Sequence, residues 1–150
     1  MSLKATITDD MKAAMRARDT ARLSTIRLLL AAIKQREVDE RKEMTDADVL
    51  AIIDKMQKQR KDSIAQFEAG HRQDLADAER AELALLGTYL PERMSDTEID
   101  QAIDSALAAA RAAGAAGPAL LGKVMAALKP QLAGRADMSA VSSKVRARLT

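Results

Sequence analysis

Residues 95–110 read SDTEIDQAIDSALAAA, and this stretch indicates how the chain folds. Ser95 followed three residues later by Glu98 is a complete capping box, a pattern that begins a helix. The apolar positions behind it recur at spacings of three and four residues and therefore share one helical face: Ile99, Ile103, Ala106, Leu107 and Ala110. Gly114 then offers a natural end. The stretch predicts an amphipathic helix that buries one side.

The same pattern predicts helices along the whole chain. Thr45 and Asp48 form a second capping box, with Asp in place of Glu, and Pro118 suits the first position of a helix. The predicted helices are Leu3 to Arg18, Asp19-Thr20 to Lys42, Thr45 to Gly70, Asp74 to Leu90, Ser95 to Gly114, Pro118 to Pro130, and a seventh capped by Asp137 or Ser139. Leu90-Pro91 and Pro130 are the predicted stops, because a residue before proline avoids helical geometry.

The composition agrees with an all-α protein. The 150 residues contain one Phe, one Tyr and no Trp, so small and aliphatic side chains must fill the core. Chains rich in Ala and in charged residues favour closely packed helices over strands. We predict an all-α, multihelical fold, with an N-terminal helical subdomain over residues 1–91 and a small C-terminal three-helix subdomain over residues 92–150.

Charge is unevenly distributed. Residues 1–90 carry 16 cations and 16 acids, whereas the stretch from Arg111 to Thr150 carries seven cations and one acid, Asp137. The whole chain has a net charge of only +2. A cationic end on a nearly neutral protein indicates an anionic partner, and nucleic acid is the commonest large one.

Several functional classes receive no support from the sequence. The chain has no Cys and one His, His71, which leaves too few ligands for an ordinary zinc site. Ser24-Thr25 and Ser142-Ser143 lack a nearby base, and there is no glycine-rich phosphate loop. We therefore predict no catalytic residue, metal or cofactor. No apolar run approaches the roughly 20 residues of a spanning helix, and no signal-peptide pattern is visible. The expectation is a soluble, cytoplasmic protein with no membrane partner.

Taken together, seven short blocks resemble the GatB/YqeY family over essentially the full length of the chain. Their order and spacing carry the resemblance, not any single block. The blocks are Arg22-Leu23-Ser24-Thr25-Ile26-Arg27, Gln59-Arg60-Lys61-Asp62-Ser63-Ile64, Arg72-Gln73-Asp74-Leu75, Glu82-Leu83, Tyr89-Leu90-Pro91, Gly122-Lys123-Val124-Met125 and Gly134-Arg135-Ala136-Asp137.

The resemblance implies two all-helical subdomains that divide near Tyr89-Leu90-Pro91. It also implies similarity to the C-terminal tail region of the B subunit of the tRNA-dependent amidotransferase. A related domain is appended to some glutaminyl-tRNA synthetases. In both settings the module is thought to help hold tRNA, so the resemblance implies tRNA as a partner.

Six cations form the predicted phosphate-contacting surface: Lys123, Lys129, Arg135, Lys144, Arg146 and Arg148. The alternative is a solvated helical face. Phe67 and Tyr89 fall at predicted core positions, so stacking of bases on rings is not expected. The predicted contact is with the backbone and shape of a folded RNA. A second basic cluster in the third helix, with Lys55, Lys58, Arg60 and Lys61, is better explained by intrahelical pairing with Asp54 and Asp62.

Three hypotheses remain open. The first is a non-catalytic, tRNA-associated helical module that contacts tRNA through the basic C-terminal surface. The second is a protein-interaction module that docks on an amidotransferase or an aminoacyl-tRNA synthetase, or that self-associates through its Ala-rich helices. The third is an accessory to a carbon-nitrogen ligase that uses glutamine as amide donor, although the chain lacks a recognisable amidase nucleophile set.

Overall fold

The computed structural model describes residues 1–149, and these form an all-helical structure without strands. The all-α prediction is confirmed. The described residues contain seven helices: α1 Leu3–Ala17, α2 Thr20–Glu40, α3 Asp46–Ala69, α4 Gln73–Gly87, α5 Asp96–Ala112, α6 Pro118–Leu132 and α7 Met138–Leu149. The chain divides into two compact units, one ending at Leu90 and one beginning at Pro91.

The N-terminal unit is held together by aliphatic side chains from α1 to α4. The side chains buried in its core include Ile7, Ile26, Leu29, Ile33, Val49, Ile53 and Leu86. Polar contacts join α3 to α4 beside this core. The Nε of Arg60 lies 2.6 Å from a carboxylate oxygen of Glu82 and 3.1 Å from one of Glu79. The amide nitrogen of Gln57 donates to the carbonyl oxygen of Leu83.

The C-terminal unit has a separate core formed by α5, α6 and α7. Its buried side chains include Ile103, Leu107, Val124, Leu128, Leu132, Val141 and Val145. No aromatic side chain belongs to this unit, so its stability rests on aliphatic burial and on capping.

Both predicted capping boxes are present. The hydroxyl of Ser95 accepts from the backbone N–H of Glu98, whose carboxylate accepts from the backbone N–H of Ser95. Thr45 and Asp48 make the same reciprocal bonds at the start of α3. These bonds satisfy backbone donors that the first turn of a helix otherwise leaves without partners.

The two predicted proline stops are misplaced. The sequence placed the end of α6 at Pro130, but the helix continues to Leu132. Pro130 lies in the last turn, where its missing N–H removes a single bond, and the burial of Leu132 and Ala133 holds the extra residues in place. The predicted stop of α4 at Leu90 is also late, because the helix ends at Gly87 and a turn with tighter hydrogen bonds follows.

The two aromatic residues are partly buried in the N-terminal unit rather than displayed. The hydroxyl of Tyr89 donates to a carboxylate oxygen of Asp10 at 2.5 Å. Burial, followed by this bond to a carboxylate, raises the pKa of Tyr89 well above its usual value. Neither ring is therefore positioned as an open stacking platform.

Candidate nucleic-acid interface

Three cations line a small cavity in the C-terminal unit. The cavity has a volume of about 230 Å³ and lies where the loop before α7 meets the segment before α5. Arg93, Arg135 and Lys144 contribute the positive charges, and Asp96 and Asp137 contribute two negative ones. Met94, Ile99 and Val141 supply apolar wall. The lining therefore carries a net positive charge of one.

Arg135 is held in place by its backbone and by one side-chain nitrogen. Its carbonyl oxygen accepts from the backbone N–H of Met94 at 2.9 Å, and its Nε donates to the carbonyl oxygen of Glu92 at 3.0 Å. Gly134 precedes it with a φ of 73°, a conformation that favours glycine. Within residues 1–149 the two terminal nitrogens of Arg135 have no hydrogen-bond partner. They remain available to an anion entering the cavity.

The start of α7 contributes less to anion binding than a bare helix end. Asp137 caps the helix, because one of its carboxylate oxygens accepts from the backbone N–H of Ser139 at 3.0 Å. This carboxylate occupies a donor that would otherwise favour a phosphate. The cavity therefore depends on its side-chain cations.

Two of the six predicted contact residues are neutralised by acids of α5. The Nζ of Lys144 lies 3.3 Å from a carboxylate oxygen of Asp100 and 3.9 Å from one of Asp96. Arg148 pairs with Asp100 at 3.2 Å and also with Asp104. These acids recur every four residues along α5, and Lys144 and Arg148 of α7 are also four residues apart. The two helices therefore present opposite charges to each other at the same spacing.

The other predicted residues lie apart from the cavity lining. Lys123 on α6 and Arg146 on α7 are exposed, and neither forms an ion pair within the described part of the chain. Lys129 is half-buried in the last turn of α6. The structure therefore brings together Arg135 and Lys144 at the cavity, and Lys144 and Arg148 at Asp100. It does not gather all six predicted residues into one patch.

Arg93 was missed by the sequence analysis. It lies between Pro91 and the capping box at Ser95, a stretch that reads as a connection between subdomains. Its Nη1 donates to the carbonyl oxygen of Gly134, which links this connection to the loop that carries Arg135. A contact between residues 41 apart leaves no trace in helical periodicity.

One cation of the basic cluster of α3 pairs differently from the prediction. Arg60 pairs with Glu79 and Glu82 of α4, so its ion pairs are interhelical and not intrahelical. Lys55 and Lys61 are exposed. The cluster therefore contributes to the joining of α3 to α4 through Arg60.

His71 lies on an exposed turn with a φ of 57°. Its nearest acidic candidate in sequence, Asp74, is bound by Arg72 through bonds of 3.2 and 3.0 Å. This hydrogen bonding lowers the pKa of Asp74. Within residues 1–149 no cluster of His, Cys, Asp and Glu has the composition of a metal site. Nor does any helix in that range have the length and apolar character needed to cross a bilayer.

These features define a class: an all-helical protein of two units whose C-terminal unit presents a cationic cavity. Residues 4–149 match the family described as Yqey-like protein. The chain belongs to this family, and the resemblance stated from the sequence is confirmed.

Fungal relatives are similar to parts of the chain. A protein from Vanderwaltozyma polyspora named Altered inheritance of mitochondria protein 41, mitochondrial, is 40% identical over 101 residues, covering 65% of this chain and 55% of that protein. A protein of the same name from Pyrenophora tritici-repentis is 32% identical over 140 residues, covering 91% and 75%. An uncharacterised protein from Schizosaccharomyces pombe is 33% identical over 95 residues, covering 63% and 77%.

The chain spans about half the length of the first relatives that it matches, at 55%, 57% and 46%. The cytoplasmic location predicted from the sequence is contradicted by this comparison, because these relatives carry the word mitochondrial in their names. The prediction used the lack of a spanning run and of a secretory signal pattern, and neither feature distinguishes the cytoplasm from the interior of an organelle.

Proposed function

We propose that this chain is a non-catalytic helical module that associates with tRNA and contacts its phosphate backbone through the C-terminal unit. The observation that carries the proposal is the guanidinium of Arg135. It is fixed through Nε, its terminal nitrogens have no partner within residues 1–149, and it lines a cavity with Arg93 and Lys144. A guanidinium in this state suits bidentate binding of a phosphate.

Two exposed cations outside the cavity lining remain proposed contacts. Lys123 and Arg146 form no ion pair with a described residue, so phosphate binding would not have to break one. Lys129 remains a proposed contact. Because Phe67 and Tyr89 are partly buried, the proposed recognition is of backbone and shape.

The ion pairs of α5 limit the strength of this surface. Lys144 and Arg148 already face carboxylates, so a phosphate must compete for them. We therefore expect Arg135, Lys123 and Arg146 to contribute most. Counterion release predicts a slope of about −0.9 in log K against log salt for each phosphate neutralised. Three contacts give roughly a 40-fold loss of affinity between 50 and 200 mM salt, and six give roughly 2,000-fold.

Filter binding of unfractionated tRNA over that salt range tests the proposal. Lys123→Glu and Arg146→Glu are expected to weaken binding and to reduce the slope, similarly for all tRNAs. Lys55→Glu, an equal charge change at an exposed position of α3, is the matched control and is expected to have little effect. Binding that ignores salt, or equal losses in all three variants, would contradict the proposal.

A second proposal concerns proteins as partners, namely docking on an amidotransferase or an aminoacyl-tRNA synthetase. An apolar exposed face on α2, which includes Leu28 and Val38, favours protein contact. The amide-transfer hypothesis has no comparable observation in its favour. A purified chain that alone hydrolyses glutamine or converts Glu-tRNA would contradict a non-catalytic role.

The compartment of action is proposed from the relatives. Their names place those proteins in mitochondria, and we propose an association with mitochondria for this chain. Expression of a tagged chain in yeast followed by fractionation tests this proposal. Recovery only in the soluble cytosolic fraction would oppose it.

A further inference from the structure

The side of α2 that faces away from the core is unusually apolar. The buried residues of α2, on its core side, are Thr25, Ile26, Leu29 and Ile33. The opposite side, here called the α2 outer face, consists of six exposed residues: Ala21, Ser24, Leu28, Ala31, Gln35 and Val38. Leu28 is 46% exposed and Val38 is 59% exposed, and they are two of the four large hydrophobic side chains exposed within residues 1–149.

A cavity accompanies the N-terminal half of this face. It has a volume of about 360 Å³ and is lined by Thr20, Leu23, Ser24, Arg27 and Leu28. Two of its walls are leucine side chains, and its only charged lining residue is Arg27. A cavity of this kind suits a branched apolar side chain inserted from a partner.

The spacing of the α2 outer face indicates the shape of the partner. Its residues recur at alternating intervals of three and four, which is the spacing of a helix that packs along another helix. Apolar residues at these positions normally contact a second helix. We infer that the α2 outer face is a docking surface for a helix with an acidic border, supplied by another protein.

Two exposed cations beside the face favour a partner helix with an acidic border. Arg27 and Lys34 are seven residues apart and therefore lie along the same border of the face. Both are exposed, and neither forms an ion pair within the described chain. The other border carries Asp39, which already accepts a bond from the amide of Gln35 at 2.9 Å. Glu or Asp on the partner helix would pair with Arg27 and Lys34. Nucleic acid would pair with them too, but would leave the apolar stripe exposed to water.

A second copy of this chain fits the face less well. Antiparallel pairing of two α2 helices would set Arg27 of one copy against Lys34 of the other. Parallel pairing would gain a contact between Lys34 and Asp39. The stripe, about 26 Å long at 1.5 Å per residue and about 10 Å wide, offers roughly 260 Å² to any partner helix, whereas a stable interface buries about 800 Å² per partner. The area fits a weak, reversible contact.

A titration of the full-length, isotope-labelled chain followed by NMR tests the inference. The probe is a synthetic 21-residue helix with Leu at the a and d positions and Glu at the e and g positions. Repulsion between its Glu residues keeps the peptide from pairing with itself. We expect shift changes that concentrate on the α2 outer face. A peptide with Lys in place of Glu is expected to bind at least tenfold more weakly.

Variants locate the contact. Leu28→Glu is expected to weaken binding of the acidic peptide at least tenfold. Met15→Glu, at a side chain of similar exposure (48%) on α1, is expected to leave it unchanged. Circular dichroism confirms that each variant is folded. Any of three results would overturn the inference: equal binding of both peptides, shift changes away from α2, or a homodimer in sedimentation that Leu28→Glu dissociates. RNA binding is measured separately and is not expected to respond to Leu28→Glu.

Discussion

Removal of the charge of Asp100 is expected to strengthen tRNA binding. This carboxylate lies 3.3 Å from Lys144 and 3.2 Å from Arg148, on the helix that opposes α7. In Asp100→Asn, Arg148 keeps its pair with Asp104, and Lys144 keeps only the contact of 3.9 Å with Asp96, whose side chain is 94% exposed. The substitution therefore releases one cation for a phosphate.

The expected magnitude follows from counterion release. One additional phosphate contact steepens the slope of log K against log salt by about 0.9. When the salt concentration falls from 1 M to 0.1 M, the affinity of Asp100→Asn for tRNA should therefore rise about eightfold more than that of the wild type. The fold should survive, because the side chains of Asp100, Lys144 and Arg148 are 45%, 38% and 29% exposed. Ion pairs at such exposure contribute about 1 kcal/mol or less. Filter binding at five salt concentrations measures both quantities.

The control is Asp62→Asn, the same charge change at an exposed position of α3. Within the described residues Asp62 forms no ion pair, so its removal releases no cation and the slope should stay the same. An unchanged slope for Asp100→Asn would refute the view that the α5 acids compete with RNA. An equal gain in both variants would show that only net charge matters.

Three further predictions concern stability and titration. Leu128→Ala should destabilise the C-terminal unit by about 2–5 kcal/mol through cavity formation, and should leave the urea transition of the N-terminal unit unchanged, as followed by the absorbance of Tyr89. Burial and the bond to Asp10 raise the pKa of Tyr89, so its absorbance at 295 nm should stay constant through pH 10. The stabilisation of the fold that comes from this raised pKa is present below pH 10 and should be lost only at higher pH. Asp10→Asn should lower the midpoint of the Tyr89 titration, and a midpoint of 10 in the folded wild type would contradict this prediction. The hydrogen bond from Lys4, followed by the bond from the backbone of Met44, lowers the pKa of Glu37. The stabilisation of the fold by the Glu37 carboxylate is therefore present above its ordinary pKa of 4.5 and is lost as the pH falls below that value. Between pH 7 and pH 3 the urea midpoint of Glu37→Gln should drop less than that of the wild type.

Much of the fold was predictable because its signals are local. The boxes at Thr45 and Ser95 mark helix starts through residues three positions apart, and the core residues follow helical spacing. The ends were harder to predict. The continuation of α6 past Pro130 depends on the burial of Leu132, which is 0% exposed. That burial is a property of the assembled core and not of the sequence around the proline.

The candidate site was predictable only in part, because charge in sequence does not say what a side chain faces. Lys144 and Arg148 were predicted as phosphate contacts from the basic composition after Arg111. The acids that face them were visible as Asp96, Asp100 and Asp104, at spacings of four, but belong to a different helix. The available signal was that the acids of α5 and the cations of α7 recur at the same spacing of four residues. It becomes informative only when the two helices are known to lie together.

The two proposed surfaces belong to different units of the chain, and this separation gives a joint test. The cationic cavity uses residues from Arg93 onward, whereas the α2 outer face lies wholly before Leu90. No residue is shared, so effects on RNA binding and on helix binding should be additive within about 0.5 kcal/mol in the double variant Leu28→Glu, Asp100→Asn. If Leu28→Glu altered the salt slope of tRNA binding, α2 would have to take part in RNA recognition. The division of roles between the units would then be wrong even if each single variant behaved as expected.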